Sequence, residues 1–137
     1  MNNNIIINRI IEINSNIIKF VGSFDENNKK TGYWKCYYKN GTLQSNEYFL
    51  DGKRNGESIY YWRGSGNISA IGNYVDNREE DKWVYYHNNG FIESEGEYLC
   101  GKREGLWSYY WSDGTIRNKV NYKNGLYNEL KEYNKSN

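Results

Sequence analysis

The chain has 137 residues, the length of one domain, and its formal net charge of +1 excludes the strong positive field that recruits nucleic acid or an anionic membrane. Fifteen tyrosines, five tryptophans and four phenylalanines give an aromatic share of 18%, although the apolar fraction is only 37%. Disordered chains are poor in aromatic residues, so this composition favours a folded protein with a thin core built from rings.

The first segment, residues 1–14, reads "MNNNIIINRIIEIN", and Arg9 and Glu12 interrupt its short apolar run. It lacks the basic leader of a signal peptide, and no stretch approaches the ~20 apolar residues of a membrane span. We expect this segment to add a strand that caps the first edge of a sheet. Two cysteines without a secretory signal, Cys36 and Cys100, predict a reducing, cytoplasmic location.

From residue 15 to residue 133 a unit of about 24 residues recurs, which predicts one repeat domain of a half unit and four full units. Each unit is anchored on a glycine, which we predict to be structural: Gly41, Gly66, Gly90 and Gly114. Eight positions later stands an aromatic residue, predicted to be structural as well, at Phe49, Tyr74, Tyr98 and Tyr122. Seven positions before the glycines stand Trp34, Ile59, Trp83 and Trp107. Residues 134–137 are expected to fray.

The anchoring glycines predict β-hairpins. Asn40-Gly41, Asn89-Gly90 and Asp113-Gly114 are flanked by alternating apolar residues, and such dipeptides favour two-residue type I′ turns. With Asp113-Gly114 as the loop, Trp111 pairs with Ile116, Tyr109 with Asn118, Trp107 with Val120 and Gly105 with Tyr122. The same register in the preceding unit pairs His87 with Ile92 and Trp83 with Gly96. The tryptophans Trp34, Trp83 and Trp107 then form the core on one face.

The opposite face of the predicted sheet carries a tyrosine stripe with charged neighbours. The stripe is Tyr37, Tyr61, Tyr86 and Tyr110, and beside it we place Gln44, Glu93, Glu95, Arg117 and Lys119. Interfaces are enriched in tyrosine, so these residues are candidate partner-binding residues. The alternative, that the tyrosine rings only pack on one another along the sheet, stays open.

The links between hairpins, "DGKRNG", "DNREED" and "GKREG", are polar and are expected to be surface turns. One hairpin cannot bury enough surface to stand alone, but stacked neighbours can. The sequence therefore predicts an all-β fold: an elongated, twisted, single antiparallel meander of tandem β-hairpins.

The unit "GEYLCGKREGLWSYYWSDGTI" resembles the MORN-repeat variant of bacterial YwqK-type antitoxin proteins. The pattern is carried by Gly96, Tyr98, Gly101, Lys102, Gly105, Trp107, Tyr110 and Gly114. The resemblance covers about residues 16 to 125 because it recurs in register. Asn77 and Asp81 replace glycines of the pattern, and Ser58 stands near the place of the second tryptophan.

The resemblance implies a hairpin array without catalytic activity that binds a protein, such as a toxin or effector, and neutralises it by steric occlusion. It implies an antitoxin or immunity protein, acting as a monomer or homodimer. The wider MORN class implies a second hypothesis: a structural scaffold that dimerises or touches a membrane surface through its aromatic face. A partner made of nucleic acid is not expected.

Single motifs that could indicate catalysis, phosphate binding or metal binding are explained more simply by the repeat. A phosphate loop is followed by a helix, whereas "GKREG" leads into the strand-like "LWSYYW". His87, the single histidine, holds the repeat position of Tyr38, Trp62 and Trp111, which indicates a packing role. Cys36 and Cys100 are separated by about five strand spacings of ~4.8 Å, too far for a disulfide unless the sheet closes into a barrel. Glu93, Glu95 and Glu97 alternate along one strand, as a solvated edge or a patch for a basic partner. We therefore predict no enzyme, no cofactor and no metal.

Overall fold

The computed structural model describes residues 5–13 and 16–132, with side chains over residues 19–127. Eleven strands form one antiparallel sheet in which each strand pairs with its neighbours in sequence. The strands are β1 (Ile5–Ile13), β2 (Asn16–Phe24), β3 (Lys30–Tyr37), β4 (Leu43–Leu50), β5 (Lys53–Tyr61), β6 (Ile68–Val75), β7 (Arg78–Tyr86), β8 (Ile92–Leu99), β9 (Lys102–Tyr110), β10 (Ile116–Lys123) and β11 (Leu126–Glu132). The described residues form no helix, and β1 does not pair with β11, so the predicted open meander of hairpins is confirmed.

Segment 1–14 contains β1, which pairs with β2 along its whole length. The predicted N-terminal strand therefore extends the sheet by one position. The expected frayed tail, residues 134–137, lies outside the described residues.

The hairpin loops at the anchoring glycines are longer than predicted. In the last one the Trp111 N–H donates to Thr115 O (2.8 Å) and the Gly114 N–H donates to Trp111 O (2.9 Å). Gly114 has φ +89°, but Asp113 does not have a positive φ. This is a type I turn closed by one left-handed glycine, a three-residue loop, and not a type I′ turn. The Asp113 carboxylate accepts the N–H two residues on, which holds Asp113 in the type I geometry.

The longer loop changes the register beside it. Ile116 pairs with Tyr110, and Ile92 pairs with Tyr86, so the predicted pairs Trp111–Ile116 and His87–Ile92 are wrong. Farther from the loop the predicted pairs Tyr109–Asn118, Trp107–Val120, Gly105–Tyr122 and Trp83–Gly96 are present. One extra residue per hairpin thus moves the aliphatic column Leu43, Ile68, Ile92 and Ile116 to the tyrosine side.

Type I′ turns occur instead between the hairpins. Both central residues of these turns have positive φ, for example Cys100 (+51°) and Gly101 (+82°). The other such turns are Asp51-Gly52, Asp76-Asn77 and Asn124-Gly125. The rest of each polar link belongs to the following strand, so "GKREG" is a turn only at its first residue and then part of β9.

The odd strands carry an irregularity near their start. A residue with positive φ lies inside each of β3, β5, β7 and β9, where the register to the preceding strand shifts. The residues are Gly32, Gly56, Asp81 and Gly105. Asp81 adopts φ +60° at a position where the other units have glycine.

Candidate interaction surfaces

The ring face is the side of the sheet that carries Trp34, Trp83 and Trp107. The ring of each of these tryptophans packs on the backbone of a glycine in the neighbouring strand. A Cβ on Gly96 would stand 2.4 Å from the Trp107 ring, so only glycine allows that ring to lie flat. The Trp107 indole N–H donates to Glu97 O (3.0 Å), and the side chain is fully buried. The equivalent pairs are Trp83 on Gly72 and Trp34 on Gly22. An aromatic ring over a cross-strand glycine replaces an ordinary aliphatic core.

Tyrosine pairs extend this core along the sheet. The hydroxyl groups of Tyr85 and Tyr98 lie 3.1 Å apart, and those of Tyr109 and Tyr122 lie 2.9 Å apart. Burial raises the pKa of Tyr85, and its hydrogen bond to Tyr98 acts in the same direction. The Tyr85 hydroxyl therefore stays protonated and acts as a neutral hydrogen-bond partner. Tyr74, Tyr98 and Tyr122, the predicted structural tyrosines, are half-buried against the core formed by Ala70, Trp83 and Trp107.

The second unit departs from this arrangement. Ser58, not Ile59, occupies the tryptophan position, because Ser58 pairs with Glu47 where the other units pair a tryptophan with the glycine beneath it. The Glu47 carboxylate accepts hydrogen bonds from Arg54 Nε and from the Tyr60 hydroxyl (2.7 Å). Ser58 is fully buried, and its hydroxyl has no hydrogen-bond partner among the described residues. A polar cluster thus interrupts the ring core.

The tyrosine face, defined by Tyr37, Tyr61, Tyr86 and Tyr110, carries aromatic–aliphatic pairs. Tyr86 pairs across the strands with Ile92, and Tyr61 pairs with Ile68. Tyr37–Leu43 and Tyr110–Ile116 are the equivalent pairs. The four tyrosines are half-buried, and none forms a ring–ring contact with another described residue. Successive tyrosines are two strands apart, about 10 Å, which separates their rings.

A row that the sequence analysis missed crosses the middle of the tyrosine face. Ile59 pairs with Ile71, and Ile71 pairs with Val84. These three residues, the central apolar patch, are half-buried and stand next to Tyr61 and Tyr86. Polar residues continue the row on both sides, through Asn46 to Lys35 and through Glu95 and Ser108 to Lys119. Strand alternation from Ser58 and Trp83 predicts that Ile59 and Val84 face the tyrosine side. The sequence analysis missed this because it placed Ile59, not Ser58, at the tryptophan position.

The predicted partner-binding residues divide between the two faces. Glu95 and Lys119 lie on the tyrosine face, where the Tyr110 hydroxyl donates to Glu95 Oε1 (3.5 Å). The placement of Gln44, Glu93 and Arg117 on that face is wrong. The Arg117 guanidinium lies over the rings of Tyr109 (5.7 Å) and Trp111 (5.4 Å), both on the ring-face side. Gln44, Glu93 and Arg117 are the extra residues where β4, β8 and β10 shift register, which turns them toward the ring face.

His87 belongs to a series of side chains that form hydrogen bonds to the backbone of the next hairpin. Its Nε2 lies 3.0 Å from Tyr110 O. Tyr38 donates its hydroxyl hydrogen to Tyr61 O (2.9 Å), and Trp62 donates its indole N–H to Tyr86 O (3.0 Å). The shared requirement is a ring with a hydrogen-bond donor at its far end, which explains why Tyr, Trp and His alternate here.

The remaining chemical groups do not converge. Cys36 is buried and Cys100 is exposed, and both are free. The described residues contain no group of three or more His, Cys, Asp or Glu side chains able to hold a metal ion. Within the same part of the chain, no helix has the length and apolar character that crossing a membrane requires.

Comparison with known proteins adds no assignment. No family model matches the chain. No curated protein matches it either.

Proposed function

We propose that this protein is a non-enzymatic, protein-binding repeat module whose tyrosine face docks onto a protein partner. One observation carries the proposal. The central apolar patch and the adjoining pairs Tyr61–Ile68 and Tyr86–Ile92 form a continuous apolar area that no second layer of described residues covers.

The composition of this area fits an interface. Stable interfaces have an apolar, aromatic centre and a polar rim, and tyrosine contributes large contact area at low entropic cost. Here Lys35 lies on one side of the central apolar patch, and Glu95 and Lys119 lie on the other. The absence of ring–ring contacts among the four tyrosines also favours a docking role over mutual packing.

The antitoxin or immunity role belongs to the proposal through the resemblance to YwqK-type repeats. An exposed face of a continuously paired sheet suits neutralisation by steric occlusion, because a pre-organised surface can cover a partner's active surface with little change of shape. A cytoplasmic site of action is part of the same proposal, supported by two unbridged cysteines.

The test compares a tyrosine-face variant with a matched control. The double variant Tyr61→Ala/Tyr86→Ala removes two rings from the proposed interface, and Phe91→Ala removes a 51% exposed ring beside a loop. A stoichiometric partner captured from the native host is purified, and its affinity for each variant is measured by calorimetry. The double variant should bind at least tenfold more weakly, because central interface rings cost about 2 kcal/mol or more on truncation. Phe91→Ala should bind like wild type.

Docking through the tyrosine face would be refuted if both variants lost affinity equally, or if neither variant lost affinity. Sedimentation at twice the monomer mass, abolished by the double variant, would instead assign this face to a homodimeric scaffold. Salt-dependent flotation with anionic liposomes would assign it to a membrane surface.

A further inference from the structure

The ring face carries a groove of about 450 Å³ in the middle of the sheet, on the face opposite the central apolar patch. Its walls include the rings of Tyr60, Trp62, Tyr74 and Tyr85, and two carboxylate side chains, Glu79 and Glu93, also line it. Glu79 is half-buried and Glu93 is exposed. Neither carboxylate forms an ion pair or a side-chain hydrogen bond with another described residue.

The repeat shows what normally occupies the position of Glu79. That position pairs with the structural aromatic residue of the preceding strand, and the other units place a cation there: Lys30, Arg54 and Arg103. Each cation lies over rings of its own unit. The Lys30 ammonium is 4.8 Å from the Trp34 ring centroid, and the Arg103 guanidinium is 4.8 Å from that of Trp107.

The position of Glu93 also differs in charge from one unit to another. It is the extra residue at the register shift of β4, β6, β8 and β10, and the other units have Gln44, Ser69 and Arg117 there. Arg117 lies over the rings of Tyr109 and Trp111. The last unit thus covers its ring face with two of its own arginines, where the third unit has two glutamates.

We infer that the third unit's groove binds arginine side chains of a protein partner, which take the places that Arg103 and Arg117 fill in the last unit. Aromatic faces attract guanidinium groups through their quadrupole, and the carboxylates add the opposite charge that a bound cation requires. Glu79 pairs with Tyr74, and Tyr85, which stands opposite the residue next to Glu93, pairs with Ala70. The two places are therefore four β6 residues apart, roughly 13 Å, so an extended segment can present one arginine to each carboxylate. The inference rests on the proposed function only in taking the arginines from a protein.

The test needs no knowledge of that partner. A pentapeptide with arginine at both ends, spaced by glycine and serine so that both arginines project to one side when it is extended, is titrated into the full chain and followed by nuclear magnetic resonance. The indole N–H of Trp62, which lines the groove, reports the site. The control peptide carries citrulline in place of arginine, which keeps the shape of the side chain and removes its charge. The arginine peptide should shift the Trp62 signal saturably, and the citrulline peptide should not.

Four variants and one control check the assignment. Glu79→Gln and Glu93→Gln should each weaken the arginine peptide about threefold, and together about tenfold, as expected for partly exposed ion pairs. Glu79→Arg should abolish binding, because the new guanidinium covers the rings as Arg103 does, and its melting temperature should not fall. Glu97→Gln, on a strand position that faces the other side, is the matched control and should bind like wild type.

The inference is overturned if the citrulline peptide binds equally well, if the Glu79→Gln/Glu93→Gln variant keeps wild-type affinity, or if the shifts appear around Ile71 on the tyrosine face. Its failure is distinguishable from failure of the proposed function. If the arginine peptide binds but no partner depends on Tyr61 and Tyr86, the groove is supported and the proposed interface is not. If a partner depends on these tyrosines but the peptide does not bind, the interface is supported and the groove is not.

Discussion

Exchanging Glu47 and Ser58 for the pair that the other units use tests how the ring face holds the sheet together. In three units a tryptophan ring lies on a cross-strand glycine, so closely that a Cβ on Gly22, Gly72 or Gly96 would stand 2.0 to 2.4 Å from it. In the second unit Glu47 stands at the glycine position and Ser58 at the tryptophan position. The two residues should therefore be strongly coupled in free energy.

The single variants are each expected to destabilise the protein. Ser58→Trp drives an indole into the space of the Glu47 side chain, and overpacking costs about 1–3 kcal/mol. Glu47→Gly removes the acceptor of Arg54 Nε and of the Tyr60 hydroxyl, and hydrogen bonds to a charged group contribute about 1.5–3 kcal/mol. Glycine in a strand adds about 0.5–1 kcal/mol to that cost.

The double variant Glu47→Gly/Ser58→Trp restores the repeat and should recover at least wild-type stability. It buries one more indole, and it removes a buried serine hydroxyl that has no partner among the described residues, which itself costs about 1–3 kcal/mol. The coupling energy from the cycle should be about 3 kcal/mol or more, at the upper end for contacting residues. Urea denaturation followed by circular dichroism measures all four proteins. Additive effects in the double variant would refute the Trp-on-Gly account of the core.

Three further predictions follow from the described contacts. Trp107→Ala should lower the free energy of unfolding by about 3–5 kcal/mol, whereas the 40% exposed Trp111→Ala should cost far less, and equal costs in urea denaturation would mean that the core is assigned to the wrong ring. Asp81→Ala should cost about 1 kcal/mol and Asp81→Gly nothing, because φ at this position is +60°, and thermal melts of both variants measure it. The N–H of Asn124 and the ammonium of Lys123 lower the pKa of Glu104. Glu104→Gln should therefore be less stable than wild type at pH 7, and this difference should vanish as the pH falls below about 4.5 toward the lowered pKa. Thermal melts from pH 7 to 3 measure the difference, and a difference independent of pH contradicts the prediction.

Much of the fold could be predicted from the sequence because local and global preferences agree. The recurring glycine, tryptophan and tyrosine columns fix a period of two strands, and no other architecture buries them all on one side. The loop length could not be predicted, because Asn-Gly and Asp-Gly fit both the type I′ turn and the type I turn followed by a left-handed glycine. The two differ by one residue, and the pairing of Tyr110 with Ile116 shows which one the sheet selects.

That single residue decided which functional positions could be found. With a two-residue loop Ile92 faces the tryptophans, and with a three-residue loop it stands beside Tyr86 and enlarges the apolar area of the tyrosine face. The same extra residue turns Glu93 and Arg117 toward the ring face. Glu93 and Arg117 hold the same repeat position with opposite charges. That difference can be recognised only when both side chains are known to lie over equivalent rings.

The departures from the repeat concentrate in one part of the sheet. Glu47 and Ser58 replace the Trp-on-Gly pair in the second unit. In the third unit Glu79 replaces a covering cation, and Glu93 stands where the last unit has Arg117. The central apolar patch occupies β5, β6 and β7, in the same region but on the opposite face. A repeat gains stability from uniform units, so positions that break several local rules at once are candidates for a functional site. The regular outer units then act as the rigid frame, and the two central units present the chemistry with which we expect a partner to be recognised.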